Sequence, residues 1–294
     1  MRLQDQEASM DQKIIDLYDD FTHGGMSRRN FLDKLAALAG SSAAATALLP
    51  ILQNNYAMAQ TVQESDPRIT TEMVDIPGAQ GLKGYLVKPK DASGKLPTVI
   101  VIHENRGLNP HIKDVTRRMA TEGFIALGLD YLSPMGGTPA DEEKGREMIG
   151  QLKQPDVIAY GKAAVAYLKG RPDSNGKVGA IGFCWGGGAV NNLAVNEPNL
   201  NAGVAYYGGQ PKAEDVPKIN AAMMLHYGGL DERINAGIPA YEAALKQAGK
   251  TYEIYVYEGA NHAFNNDTNA ARYDKATADL AWGRTVGFLK KNLA

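Results

Sequence analysis

Cys184 is the only cysteine in a chain of 294 residues, and it stands between glycines in Gly182-Phe183-Cys184-Trp185-Gly186. This is the G-x-nucleophile-x-G spacing of a strand-to-helix elbow, with a thiol where serine is usual. A nucleophile lifted off a strand end by a tight turn needs a strained backbone and close neighbours without a Cβ, hence the flanking glycines. A helix beginning near Gly186–Gly188 points its positive pole at the sulfur, which favours thiolate over thiol. Asp231 in "HYGGLDERI" and His262 in "VYEGANHAF" follow in the order nucleophile, acid, histidine. An imidazole that takes the thiol proton, with its tautomer fixed by a carboxylate, makes acyl transfer the chemistry to expect. Each residue also has a plain structural reading: Cys184 as a small buried hydrophobe, Asp231 as a turn residue or helix cap, His262 as a loop histidine.

Such residues need a scaffold that ends several strands side by side. "GYLVKP" (84–89), "PTVIVIHE" (97–104), "GFIALGLD" (123–130), "KVGAIGFC" (177–184), "AGVAYYGG" (202–209), "AMMLHYGG" (222–229) and "YEIYVYEG" (252–259) read as strands. Several are apolar without alternation, as parallel strands covered on both faces are. Between them "NPHIKDVTRRMATEG" offers Asn109 as a helix N-cap and Pro110 at the first helical position. "DVIAYGKAAVAYLKG", "NAGIPAYEAALKQAG" and "YDKATADLAWGRTVGFLKKNL" complete the helical set. This alternation predicts an α/β fold: a mostly parallel central sheet with helices on both faces, in one domain over residues 60–294.

The first 59 residues follow other rules. Arg28-Arg29, then Phe31-Leu32 and a mildly apolar alanine-rich run, precede "AMAQ" with its small-x-small pattern and a cleavage point after Ala59. The order resembles a twin-arginine export signal, which would make the protein periplasmic or exported and the export machinery a partner. Against it stand the acidic segment "DQKIIDLYDDF" upstream and Asp33-Lys34 at the start of the apolar region. The alternative is a cytoplasmic protein whose N-terminal amphipathic helix is retained and packs on the domain. The apolar run is short for a bilayer span, so no stable membrane insertion is expected.

Composition narrows the partners. The formal net charge is −2, with 44% hydrophobic and 22% charged residues, which gives no electrostatic bias toward nucleic acid. A single cysteine excludes an internal disulfide, and the five histidines show no HxH or HExxH spacing, so no metal and no cofactor are expected.

"GFCWGG", "GGLDE", "GANHAF" and "HENRGL" (103–108) together resemble the dienelactone hydrolase (carboxymethylenebutenolidase) family of α/β-hydrolases, over most of residues 70–294. The resemblance implies that Glu104 takes part in activating the cysteine, and that the backbone N–H groups of Asn105 and Trp185 form an oxyanion hole. It also implies a small-molecule ester or lactone as substrate. The arginines with which the family holds a substrate carboxylate are missing: Pro134 and Asn266 stand at about the matching places. Arg106 is a replacement anion contact or an ion pair with Glu104 or Asp130. Tyr131 and Phe264, with Trp185 and Tyr207, are candidates to line an acyl pocket. Two rivals are a thiol-based redox protein, which has no resolving cysteine, and a non-catalytic binding module, which has no reason to keep all three catalytic groups.

Overall fold

The computed structural model describes residues 10–294, so residues 1–9 of the expected leader lie outside the described residues. Eight strands form one sheet: β1 (Ile69–Asp75), β2 (Lys83–Pro89), β3 (Leu96–Ile102), β4 (Ile125–Asp130), β5 (Ser174–Phe183), β6 (Ala202–Tyr206), β7 (Ala222–Gly228) and β8 (Tyr252–Tyr257). Their spatial order is β1-β2-β4-β3-β5-β6-β7-β8. β2 runs antiparallel to both β1 and β4, and every pairing from β4 to β8 is parallel. Parallel pairing brings the carboxyl ends of β3, β5, β7 and β8 to one edge, where open α/β sheets place their chemistry.

The helices are α1 (Gln12–Thr22), α2 (Arg28–Ala39), α3 (Ser42–Leu52), α4 (Pro110–Thr121), α5 (Glu142–Gln151), α6 (Gln154–Lys169), α7 (Trp185–Asn196), α8 (Glu232–Asn235), α9 (Ile238–Gln247) and α10 (Lys275–Leu293). Side chains of β3 alternate between two cores. Ile100 and Ile102 join Val165 and Leu168 of α6 and Val190 and Leu193 of α7. Val99 and Val101 join Ile112, Val115 and Met119 of α4 and Leu289 of α10. Residues buried on both faces explain why these strands are apolar without alternation. This is the α/β-hydrolase fold.

Asn109 caps α4 through its side chain, accepting from the Ile112 amide at 3.0 Å. Two elements are additions to the sequence reading. β1 is an antiparallel edge strand whose residues are mostly exposed, and α5 has only Gly145 and Ile149 buried.

The N-terminal segment forms a third core. Tyr18 and Phe21 of α1, Phe31 and Leu35 of α2, Ala45 and Leu52 of α3 pack together, and Ala271 of the sheet domain packs against them. Phe21 and Phe31 stack with centroids 4.5 Å apart. Ser27 caps α2, leaving Arg28 and Arg29 exposed on its first turn, whereas Ala59 is buried. No single described helix is long and apolar enough to cross a membrane; the bent pair around α2 and α3 passes by length and composition.

Candidate active site

At the end of β5 the chain turns through Cys184 with φ 56° and ψ −116° and enters α7. A Cβ on Gly182 would sit 2.1 Å from the Gly186 carbonyl oxygen, and one on Gly186 would sit 2.4 Å from the His103 oxygen. Both contacts are with backbone, so neither glycine can be replaced without moving the elbow. The turn is pinned by the Cys184 amide donating to the Tyr206 carbonyl at 3.0 Å. Positive φ costs a non-glycine residue energy that the surrounding structure must supply. Among the described residues, the three such cases are Cys184, Tyr207 and Ala263, all at this edge of the sheet.

Asp231 follows β7 and caps α8, accepting from the Ile234 amide at 3.2 Å through Oδ1. Its Oδ2 lies 2.5 Å from Nδ1 of His262, which follows β8. The carboxylate thereby turns Nε2 of His262 outward, and that nitrogen is buried without a hydrogen-bond partner. Tyr207 packs on the ring with centroids 4.9 Å apart.

A residue absent from the sequence reading completes the arrangement. His23, the C-cap of α1, places Nε2 3.2 Å from the Cys184 sulfur. Its Nδ1 lies 2.7 Å from the Asp19 carbonyl oxygen, and its ring meets His262 edge-on at 4.7 Å. The sulfur and one ring nitrogen from each histidine all lie within 4.8 Å of one another. Sequence spacing hides this cluster, because its members come from three distant segments.

These groups shift one another's protonation. Burial would raise the Cys184 thiol, but His23 and then His262 outweigh it and bring it down to about 6. Burial would lower His262; Asp19, Cys184 and Asp231 overcome this and raise it to about 10. Burial likewise opposes charge on His23, while the Cys184 sulfur and Asp19 raise it. These shifts favour an ion pair between the Cys184 thiolate and a protonated His262 near neutral pH, and move His23 toward its protonated form.

The sulfur opens onto a cavity of about 520 Å³ whose wall includes Trp185, Tyr207, Asn105, Arg146 and Arg233. Asn105 and Trp185 stand at its sulfur end, and among the described residues neither backbone amide donates to another protein group. Glu104 is buried and accepts from Asn266 Nδ2 at 2.9 Å. His103 steadies the loop that carries it: Nδ1 meets the Glu104 carbonyl at 2.7 Å, and its ring stacks on Trp185.

Three expected substrate contacts are corrected. Arg106 pairs neither with Glu104 nor with Asp130 but with Glu142 at 3.0 Å, and it donates to Tyr18 Oη at 3.3 Å. Tyr131 is buried behind Trp185 and meets it edge-on, and Phe264 is buried against Tyr207 and Tyr257. Neither aromatic reaches the cavity, because each fills the hydrophobic space beneath a residue that does.

The profile described as the dienelactone hydrolase family matches residues 82–293, and a separate YqhI-like profile matches residues 1–40. A protein of Escherichia coli K12 that carries the name carboxymethylenebutenolidase is 32% identical over 246 residues, covering 78% of this chain and 90% of its own. A hydrolase fragment of the same organism, YghX, is 50% identical over 111 residues, covering 37% of this chain and 95% of its own. A crystal structure named a dienelactone hydrolase, from Klebsiella pneumoniae, superposes with a TM-score of 0.69 at 30% identity, covering 76% of this chain and 99% of that one.

Proposed function

The chain belongs to the dienelactone hydrolase family and is a carboxylic ester hydrolase, and we propose that it works through Cys184 as nucleophile with His262 and Asp231 as its relay. The observation that carries this reading is the pairing of a sulfur at a strained elbow, open to the cavity, with an Asp231-held imidazole whose second nitrogen is unpartnered and near it.

In the proposed cycle the thiolate attacks the ester or lactone carbonyl, a C–S bond forms, and charge moves onto the carbonyl oxygen. The Asn105 and Trp185 amides receive that oxyanion, an interaction worth about 3–4 kcal/mol of barrier per donor. The C–O bond breaks, and His262 gives its Nε2 proton to the departing oxygen. The now neutral ring takes a proton from water, whose oxygen attacks the thioester and releases the acid and the thiolate. Asp231 keeps Nδ1 protonated throughout and stabilises the imidazolium. A thiolate leaves more readily than an amine, so thioester chemistry suits esters and lactones better than amides. Glu104, on the loop that leads into Asn105, is assigned to supporting the cysteine.

The cavity has no arginine at either place where the family carries one: Asn266 is engaged with Glu104, and Pro134 lies in a 3-10 turn away from the sulfur. Arg146 and Arg233 stand in the wall instead. Profiling the full chain against p-nitrophenyl esters and lactones, beside Cys184→Ala and Cys184→Ser, tests the reading. Cys184→Ala should lose turnover by about 10⁴-fold or more while keeping its circular dichroism and melting temperature. Esterase activity retained in that variant overturns the thiol mechanism, and peroxide consumption without esterase activity would favour a redox role.

A further inference from the structure

We propose that His23, carried by the N-terminal helical segment, is a further catalytic residue of this site: it is the direct hydrogen-bond partner of Cys184 and holds the nucleophile as a thiolate. The inference rests on reading Cys184 as the nucleophile and adds a group that the family's sheet domain does not contain.

Geometry is the first support. Nε2 of His23 lies 3.2 Å from Sγ, within hydrogen-bond reach of a sulfur. Nδ1 is committed to the Asp19 carbonyl, with the Asp19 carboxylate 3.4 Å away. One nitrogen is therefore anchored and the other aimed, the same logic by which Asp231 aims His262.

The local chain is built for that placement. α1 ends at Thr22, His23 caps it, and Gly24 takes φ +86° so that the chain can leave at once. A Cβ on Gly25 would sit 3.0 Å from the Asp20 oxygen. The histidine thus stands at the tip of a helix whose apolar face is already buried.

Docking is specific and polar. Asn105, the proposed oxyanion donor, gives its side-chain amide to the Thr22 carbonyl at 2.7 Å. Arg146 donates to the Phe21 carbonyl at 3.2 Å, and Arg272 pairs with Asp19 at 3.3 Å. These three partners come from loops or helices of the sheet domain, and each holds a residue within four positions of His23. An apolar contact alone would allow the helix to slide or rotate; these bonds fix its register.

The proton moves from Sγ to His23 Nε2, which then donates to the thiolate and keeps its proton while His262 cycles. Sharing the work frees the outward nitrogen of His262 for the leaving oxygen and for water. The groups that face this pair are Asp19 from α1, Tyr207 after β6, Asp231 and Arg233 after β7, Glu104 after β3, and His262 and Arg272 after β8. The segment 1–59 is then part of the working enzyme, and cleavage after Ala59 would remove the second imidazole.

Because Cys184 is the only thiol, its titration can be read directly in the full chain by alkylation with iodoacetamide and by thiolate absorbance against pH. In His23→Gln the thiol pKa should rise by one unit or more. Alkylation at pH 6.5 should slow about threefold or more and match the parent above pH 9, and kcat/KM should fall in parallel at pH 6.5 and recover with pH. An unshifted thiol titration in a folded His23→Gln protein overturns the proposal, as does a rise in kcat/KM in His23→Ala, which would make the residue a stopper. Should His23→Gln fail to fold, Asp19→Asn carries the same test with a smaller upward shift, and no shift there is a refutation. An active Cys184→Ala would sink the nucleophile reading while leaving the titration interpretable, so the two failures are separable.

Discussion

Two imidazoles reach one sulfur from opposite parts of the molecule. His262 comes from the loop after β8 and is aimed by a side-chain carboxylate, Asp231, that is itself a helix cap. His23 comes from the tip of α1 and is aimed chiefly by a main-chain carbonyl, that of Asp19. The first is built into the sheet: both loops leave adjacent parallel strands, so the pair exists wherever the sheet exists. The second exists only while three helices stay docked on polar contacts. Position therefore separates the roles. On the proposed mechanism, the relay sits on the parallel sheet and the group that tunes the nucleophile sits on a separately packed helical segment.

The largest expected effect tests that asymmetry. His262→Ala should lower kcat/KM by about 10³–10⁴, and Asp231→Asn by about 10³ through loss of the correct tautomer. His23→Ala should cost about 2–10-fold at neutral pH, through the raised thiol. Equal losses for the two histidines, measured with one p-nitrophenyl ester, would erase the distinction drawn above.

The elbow comes next. Gly182→Ala puts a methyl 2.1 Å from the Gly186 oxygen, so the strand end and the helix start must separate. A destabilisation of about 2–4 kcal/mol is expected, with near-complete loss of activity. Gly209, where an added Cβ meets nothing, is the control: Gly209→Ala should leave the melting temperature within about 2 °C. Similar melting curves for both variants would show that the elbow is looser than its contacts imply.

A pH profile sharpens the comparison further. On the proposed mechanism the thiolate is the active form, and with its parent thiol held at about 6, kcat/KM should climb through pH 6 and be about tenfold below its plateau at pH 5. His262 is raised to about 10, so the alkaline limb, where it loses the proton destined for the leaving oxygen, should lie near pH 10. An acid limb near pH 8 or above would mean that the flanking imidazoles do not lower the thiol.

The same contrast decides what the sequence disclosed. Cys184, Asp231 and His262 were legible because each sits just beyond an apolar run, and parallel strands force such positions together. Glu104 and the amides of Asn105 and Trp185 came instead from the resemblance to the family, and the structure places all three beside the sulfur. Tyr131 and Phe264 neighbour the right positions but point into the core, and Arg106 stays beside the sulfur with its charge taken up by Glu142. Asp114 shows how far burial can hide: a charged residue in a polar helical stretch, it is fully buried and tied to Arg117 and Arg118 and to the amides of Thr61 and Val62. His111, one place into α4, is likewise fully buried, beside Asp267. His23 was invisible for a different reason. "FTHGG" announces a helix end, but the partner lies 161 residues away, and only the docking of α1 brings them together. The YqhI-like match covers residues 1–40 and so includes α1, its His23 cap and α2.

Docking itself sets the smallest effect. Arg272 pairs with Asp19, and its guanidinium lies 5.2 Å over the Tyr18 ring, so it grips α1 by charge and by face. Burial alone would raise the Asp19 carboxyl; His262, His23 and Arg272 hold it below the usual range. Arg272→Ala removes one of these and leaves a largely buried carboxylate with Arg233 at 3.5 Å and the two rings. The expected cost falls on docking, about 2–3 kcal/mol once the partial exposure of Asp19 is allowed for, and leaves the sheet intact. Limited proteolysis should then cut within residues 10–30 several-fold faster, while the melting temperature of the sheet domain stays put. The thiol pKa should rise by less than in His23→Gln, and kcat/KM at pH 6.5 should fall only a few-fold. His262 and His23 outrank Arg272 in holding the Asp19 carboxyl down, so the variant keeps the parent's sign in weaker form: the grip is lost as pH falls through the lowered carboxyl, beginning at a higher pH than in the parent.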